Sequence, residues 1–193
     1  MHFNGIIVLD LDYKNSLEVD PDYKGVMRHG DVYSTEFAKK QIYNEMFDKY
    51  NDWVIYDEDF AKRYVNACIE AGFRIEVMGI ALENEYPLWN GQLPKMTFLG
   101  YECVDGLFSY TSYDLYSGCN LSDCPEYEAY REKLNANKLF DDMKTLKACI
   151  DLRNEVYTDG RLEHYSENAE CIGVYKVDSF AGCRWLYSPL DIT

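Results

Sequence analysis

Basic residues are the scarce class in this chain. Of its 193 residues, 19 are Lys or Arg against 34 Asp or Glu, a formal net charge of -15. With so little positive charge and no block of it, the counterion-release term that drives DNA or RNA binding has no source. The same imbalance repels anionic membrane surfaces. Histidine is scarcer still: His2, His29 and His164 are scattered, and none falls in a His-x-His or His-Glu-x-x-His pattern. No apolar run approaches the roughly 18 residues of a membrane-spanning helix. The N-terminus, MHFNGIIVLDLD, lacks a basic segment and meets acid at Asp10, so no signal peptide is expected. The 12 glycines are punctuation. None belongs to a Gly-x-Gly-x-x-Gly loop or a Gly-x-Ser-x-Gly elbow, so neither a dinucleotide site nor a serine-hydrolase elbow is expected. Internal repeats and low-complexity tracts are absent as well.

What the chain has in quantity is acid and tyrosine. Residues 1–60 carry 13 acids and 6 bases, residues 61–124 carry 8 and 4, and residues 125–193 carry 13 and 9. The excess is thus built into the folded chain, most heavily in the first third, and is no detachable tail. Eighteen tyrosines supply rigid, amphipathic area of the kind interfaces favour. Apolar and aromatic residues run the whole length, which argues against disorder. The length suits one domain, residues 1–193, able to bury a core without staples.

Seven cysteines, an odd number, occur at 68, 103, 119, 124, 149, 171 and 183. Cys68 and Cys149 fall on apolar helical faces, where a thiol serves as a small hydrophobe. Cys119 and Cys124 have no second close Cys or His pair to complete a zinc tetrahedron. Reduced thiols in a cytoplasmic protein are expected, with no metal and no cofactor.

Hydrophobic periodicity gives the elements. Phe3–Asp12 reads as a strand around Ile6, Ile7 and Val8. Ser34 or Thr35 starts a helix to Tyr50, with Phe37, Ile42, Tyr43, Met46, Phe47 and Tyr50 as its stripe. After the short apolar piece Trp53–Tyr56, a second helix runs from Asp57 to a stop at Gly72. Strands are predicted at Phe73–Leu82 and Met96–Val104, with a further one at Leu107–Tyr116. Helices at Glu126–Leu134 and Leu139–Val156 follow, then strands at Glu170–Val177 and Cys183–Tyr187. Clustered strands and clustered helices predict an α+β fold, a mixed or antiparallel sheet packed with about four helices.

Two patterns bear on function. Asp10-Leu11-Asp12 ends the first strand and, if extended, turns two carboxylates to one face, as a Mg²⁺ site requires. The pattern resembles the opening motif of haloacid-dehalogenase-type phosphotransferases, where the first Asp is nucleophile and the second acid/base. Lys14 stands where that motif has Thr or Val, and repeated βαβ units are missing. An acidic pair at a strand end is therefore the preferred reading, and a Mg²⁺-dependent phosphohydrolase an alternative. The second pattern lies in residues 101–116, where Tyr110, Tyr113 and Tyr116 alternate with Ser, Thr and Asp. A strand with one exposed aromatic face, flanked by acids, makes a contact surface. The expected partner-binding residues are Glu102, Asp105, Tyr110, Tyr113, Asp114 and Tyr116.

The run Phe98-Leu99-Gly100-Tyr101-Glu102-Cys103-Val104-Asp105, followed by Ser109 and Ser112, resembles a stretch found in bacterial immunity proteins that neutralise polymorphic toxins. The match covers about 15 of the 193 residues, and Cys103 occupies a place that is usually aliphatic. The resemblance implies a small cytosolic inhibitor of a toxin, often a nuclease, without catalytic residues. Together with the charge it predicts a non-enzymatic, acidic inhibitor that occludes a basic protein, either a nuclease toxin or another nucleic-acid-processing factor. A phage- or mobile-element-encoded nucleic-acid mimic of anti-defence type is the alternative with the same chemistry.

Overall fold

The computed structural model describes residues 1–12, 32–50, 54–83, 88–105, 109–110, 115, 124–158 and 169–181. Its elements are, in order, β1 (His2–Asp10), α1 (Gln41–Lys49), α2 (Glu58–Glu70), β2 (Ile75–Leu82), β3 (Lys95–Asp105), β4 (Ser109–Tyr110), α3 (Pro125–Glu128), α4 (Met143–Thr158) and β5 (Ala169–Ser179). Short 3-10 turns at Phe37–Lys39 and Ala129–Lys133 lead into α1 and continue α3. The fold is α+β, as expected, with the strands in one sheet of order β1-β2-β5-β3-β4. β1 and β2 run antiparallel with Ile6 opposite Gly79 and Val8 opposite Val77, and β3 and β4 pair antiparallel at Val104↔Tyr110 and Asp105↔Ser109.

The chain divides into two compact units. One holds the described residues of His2–Val19, His29–Phe98 and Tyr175–Thr193. Its main helix, α2, illustrates why these elements form. The Asp57 carboxylate accepts the Phe60 backbone N–H at 2.9 Å, capping the helix, and Glu58 and Asp59 favour the positive end of its dipole. Gly72, at φ +87°, terminates it. Between these ends Phe60, Ala61, Tyr64, Val65 and Cys68 recur at helical spacing and are buried. They pack with Ile6, Val8, Val77 and Val177 of the sheet and with Phe37 and Met46. Each large side chain so buried contributes about 1.5–3 kcal/mol. The outer edge of β1 is closed by Ile55, which exchanges backbone hydrogen bonds with Ile6 at 2.8 and 2.9 Å. Covering an edge in this way removes a template for unwanted strand pairing.

The other unit holds the described residues of Leu99–Val174 together with Met1. Cys103, Leu115, Tyr127, Phe140, Leu146, Cys149 and Val156 form its core. Phe140 exchanges backbone hydrogen bonds with Tyr101 at 2.7 and 3.0 Å and so closes the flank of β3. Asn135 fastens the approach to that bridge. Its Oδ1 accepts the N–H groups of Asn137 and Leu139, and its Nδ2 donates to Leu99 O and to the Asp141 carboxylate.

Several boundaries differ from the sequence expectation for physical reasons. The helix predicted from Ser34 is divided at Lys40, which is extended (φ −76°, ψ 142°), so Ser34 caps only the 3-10 turn, through Phe37 N–H. The helix predicted from Leu139 begins at Met143. Leu139 and Phe140 are instead taken up by the Tyr101 bridge and the Asn135 turn, and the Asp142 carboxylate accepts both the N–H and the hydroxyl of Thr145. The helix predicted at Glu126–Leu134 is α for one turn and then 3-10. Of the strand predicted at Leu107–Tyr116, Ser109–Tyr110 is β4. The strand predicted at Cys183–Tyr187 lies outside the described residues.

Candidate functional site

The six residues expected to form a partner surface do not share one environment. Glu102, in β3, is fully buried, and its Oε1 accepts the neighbouring Cys103 N–H at 2.8 Å. A fully buried carboxylate is not on the surface, so Glu102 leaves the predicted contact set. The error was one of strand parity: placing Tyr110 on an open face left the inward or outward sense of Glu102 undetermined. Asp105 and Tyr110 sit on the β3–β4 pairing, at the positions opposite Ser109 and Val104. Tyr113, Asp114 and Tyr116 lie outside the described residues.

Asp10 and Asp12 are not presented together by a strand. Asp10 is the last residue of β1 and is buried, whereas Asp12 lies past the strand end and is exposed. The Asp10 Oδ1 accepts the Asp12 backbone N–H at 2.9 Å, while the Asp12 carboxylate pairs with Arg74 at 2.8 Å. The first carboxylate therefore holds the backbone just past the strand end, and the second makes a surface ion pair. Among the described residues, no three His, Cys, Asp or Glu side chains gather closely enough to hold a metal ion.

The described cysteines are free thiols: Cys68, Cys103, Cys124 and Cys149 are buried and Cys171 is half-buried. Burial pushes the Cys68 thiol up to about 12 and outweighs the opposing pull of the Lys40 ammonium. Burial likewise raises Cys149, against the Arg153 guanidinium and with help from Glu102 and Cys103. Thiols held neutral in this way are poor nucleophiles and poor ligands. Cys119 and Cys183 lie outside the described residues, as do His29 and His164, and His2 is exposed.

Carboxylates dominate the described surface of α1 and α2. Glu45 binds both Lys49 and Arg63, at 2.7 and 3.1 Å, and these cations hold its carboxyl down at about 2. Glu58 pairs with Lys62 at 2.7 Å and also accepts the Gln92 N–H, which together keep it below the usual carboxylate range. Cations on these helices are thus tied to acids of the same chain, while Asp48, Asp59, Asn66 and Glu70 face solvent.

Sequence reading missed a cross-strand aromatic row. Phe3 of β1 lies edge-on to Tyr175 of β5 at 6.5 Å, and Tyr175 meets Phe98 of β3 at 5.1 Å. Gly79 of β2 lies beneath them: a Cβ there would stand 2.8 Å from the Phe3 ring and 3.2 Å from the Tyr175 Cβ. The missing side chain is what lets the two rings meet across β2. Trp89 flanks the row, 5.4 Å from Phe3 and 6.0 Å from Phe180, with its indole N–H donated to Gln92 O. Phe98 is 42% exposed, and the residues around Trp89 are more so, Leu88 at 61% and Leu93 at 58%. No signal in the linear sequence joins these residues. The strands that carry them are separated in the chain, and β5 lies between β2 and β3 only in the folded sheet.

Among the described residues, no helix is long and apolar enough to cross a membrane. No protein-family model, no curated protein and no solved structure matches the chain.

Proposed function

We infer that this chain is a non-enzymatic, acidic inhibitor that binds and occludes a basic protein. The observation that carries the reading is the net charge of -15, spread along the chain instead of being gathered in a tail. Such a surface draws in a basic partner, accelerates encounter and rejects polyanions. The internal pairing of Lys49, Lys62 and Arg63 strengthens the bias, because those cations are committed to carboxylates of their own chain. The mechanism is occlusion: carboxylates pair with the Lys and Arg that a target uses to grip its anionic substrate, and apolar side chains anchor the centre. The resemblance of residues 98–112 to immunity proteins makes a toxin, in particular a nuclease, the favoured target, with the cytoplasm as the setting.

The test is co-purification from the native cell followed by binding kinetics on the partner recovered. The association rate should fall steeply between low and physiological salt. Competition by DNA or RNA for the same partner would identify the occluded surface as a nucleic-acid channel and favour the mimic form of the reading. A partner of net negative charge, or an association rate indifferent to salt, would refute it.

A further inference from the structure

We propose that the aromatic row Phe3–Tyr175–Phe98, together with Leu88 and Leu93, is the docking surface for an apolar anchor on that basic partner. The inference rests on the function proposed above and adds the place and the chemistry of contact. Three observations carry it. Leu88 and Leu93 are more than half exposed, and they bracket Trp89, whose indole is fixed by Phe3, Phe180 and the Gln92 carbonyl. Exposed apolar side chains on a rigid aromatic base are the makings of an interface centre. The same segment is flanked by carboxylates bonded to it directly. Asp57 accepts from the Asn90 side chain at 2.9 Å, and Glu58 accepts the Gln92 N–H at 2.6 Å.

The rim selects the occupant. Asp59, next in the chain to Glu58, is exposed and adds to these two carboxylates. Of the cations nearby, Lys62 is held by Glu58, and Lys95 stands exposed at the start of β3. An apolar centre flanked by carboxylates, on a chain of net charge -15, fits a segment that presents leucine- or phenylalanine-like side chains between lysines or arginines. It disfavours a second copy of this acidic chain, and it disfavours an acidic ligand.

The probe is a short peptide alternating leucine and lysine, titrated into the isotope-labelled full chain at about 150 mM salt, where weak long-range attraction is screened. Two control peptides complete the set, one of lysine alone and one alternating leucine and glutamate. The leucine–lysine peptide should shift the amides of Phe3, Leu88–Phe98 and Tyr175. Leu88→Ser with Leu93→Ser should weaken it about tenfold, the size expected when central apolar anchors are lost. Both leucines are mainly in solvent, so this variant should melt with the parent. Phe98→Ser, read beside its own thermal melt, is the second variant and should weaken binding likewise. If the lysine peptide binds as tightly as the leucine–lysine peptide, or the shifts fall elsewhere, the docking site is wrong and the basic-partner reading survives. If the leucine–glutamate peptide binds the row best, the partner chemistry is wrong in both. Dimerisation in sedimentation that the double variant abolishes would assign the surface to a second copy and overturn the proposal. So would the absence of any peptide binding.

Discussion

Gly100→Ala should be among the most damaging single-methyl additions in this chain, and its cost can be worked from the structure. Gly100 stands in β3 at φ +148°, a backbone conformation that glycine tolerates and L residues rarely adopt. Forcing alanine there costs about 1–3 kcal/mol in backbone strain. The methyl group also has nowhere to go. Its carbon would stand 2.6 Å from the Leu139 Cβ, 2.9 Å from the Phe140 carbonyl oxygen and 3.1 Å from the Asn135 Nδ2. The Phe140 oxygen cannot simply retreat, because it accepts the Tyr101 N–H at 2.7 Å and so holds the bridge along β3. Overpacking of this kind adds about 1–3 kcal/mol. A total of about 2–6 kcal/mol is a large part of the stability of a typical domain.

Gly72→Ala is the internal control. Gly72 also has positive φ, +87°, but nothing lies within 4 Å of the added carbon, so only the backbone term applies, about 1–2 kcal/mol. For a chain of this length each kcal/mol moves Tm by about 2–4 °C. Thermal melts and urea titrations should therefore place Gly100→Ala about 10 °C below the parent and clearly below Gly72→Ala. Equal shifts for the two variants would show that the contacts with Leu139 and Phe140 carry no cost. A Gly100→Ala protein melting with the parent would refute both terms.

Four further outcomes follow from local geometry. Asp142→Ala removes the cap on Thr145 at the start of α4 and should lower the urea midpoint, whereas Asp141→Ala disturbs the Asn135 contact and should lower it less. The Cys68 thiol, raised from 9.0 to about 12 by burial, should resist alkylation in the folded protein near neutral pH. Above pH 9 the unfolded chain ionises this thiol first, so its contribution is intact below that pH and stability declines as pH climbs from there toward about 12; Cys68→Ala should flatten that part of the profile. The Glu45 carboxyl should titrate near 2 by NMR, its ion-pair contribution present above its ordinary value of 4.5 and lost as pH falls through about 2, and Arg63→Gln should return the midpoint toward 4.5. Asp10→Asn should leave partner binding within a few-fold and expose no lost phosphatase turnover; metal-dependent turnover abolished by this change would instead establish the phosphohydrolase alternative.

The parts of the fold legible in the sequence are those in which one short-range pattern decides the outcome. Asp57 and Gly72 bracket α2 as cap and stop because both act within a turn of the helix they bound. The strands 75–82 and 95–105 were readable from apolar runs, although their first residues shifted. Tertiary pairing decided the rest. Leu139 and Phe140 continue the apolar period of α4, yet the bridge to Tyr101 takes them out of the helix, and the sequence holds no local sign of that partner. Glu102 was misread for the same reason: strand alternation assigns residues to two faces without saying which face is inside. Gly100 is instructive in the other direction. It belongs to the run that resembles immunity proteins, and its place there has a local cause, a positive φ beneath the Leu139–Phe140 segment.

Charge and apolar exposure have different standing in the functional reading, and their combination is what narrows it. Net charge is a property of composition, legible at once, and it says only that a basic surface is attracted. It cannot choose a face, because Asp48 on α1, Glu70 on α2 and Glu155 on α4 are all exposed. Apolar exposure chooses a face but not a partner, since the pair Leu88 and Leu93 would accept any greasy side chain. The hydrogen bonds from Asn90 and Gln92 to Asp57 and Glu58 join the two. They fix carboxylates to the very segment that exposes the leucines, so that an anchor entering there meets negative charge at its flanks. The row beneath, made possible by the bare Gly79, gives the segment a rigid floor. Gly79→Ala should therefore disturb the surface without touching a surface residue. Its methyl group would push on the Phe3 ring and the Tyr175 Cβ, displacing the floor under Trp89. Weakened binding of the leucine–lysine peptide, with Trp89 ring signals shifted and the Leu88 and Leu93 side chains intact, would show that the floor positions the anchor site. Unchanged peptide affinity in a folded Gly79→Ala protein would show that the leucines act alone.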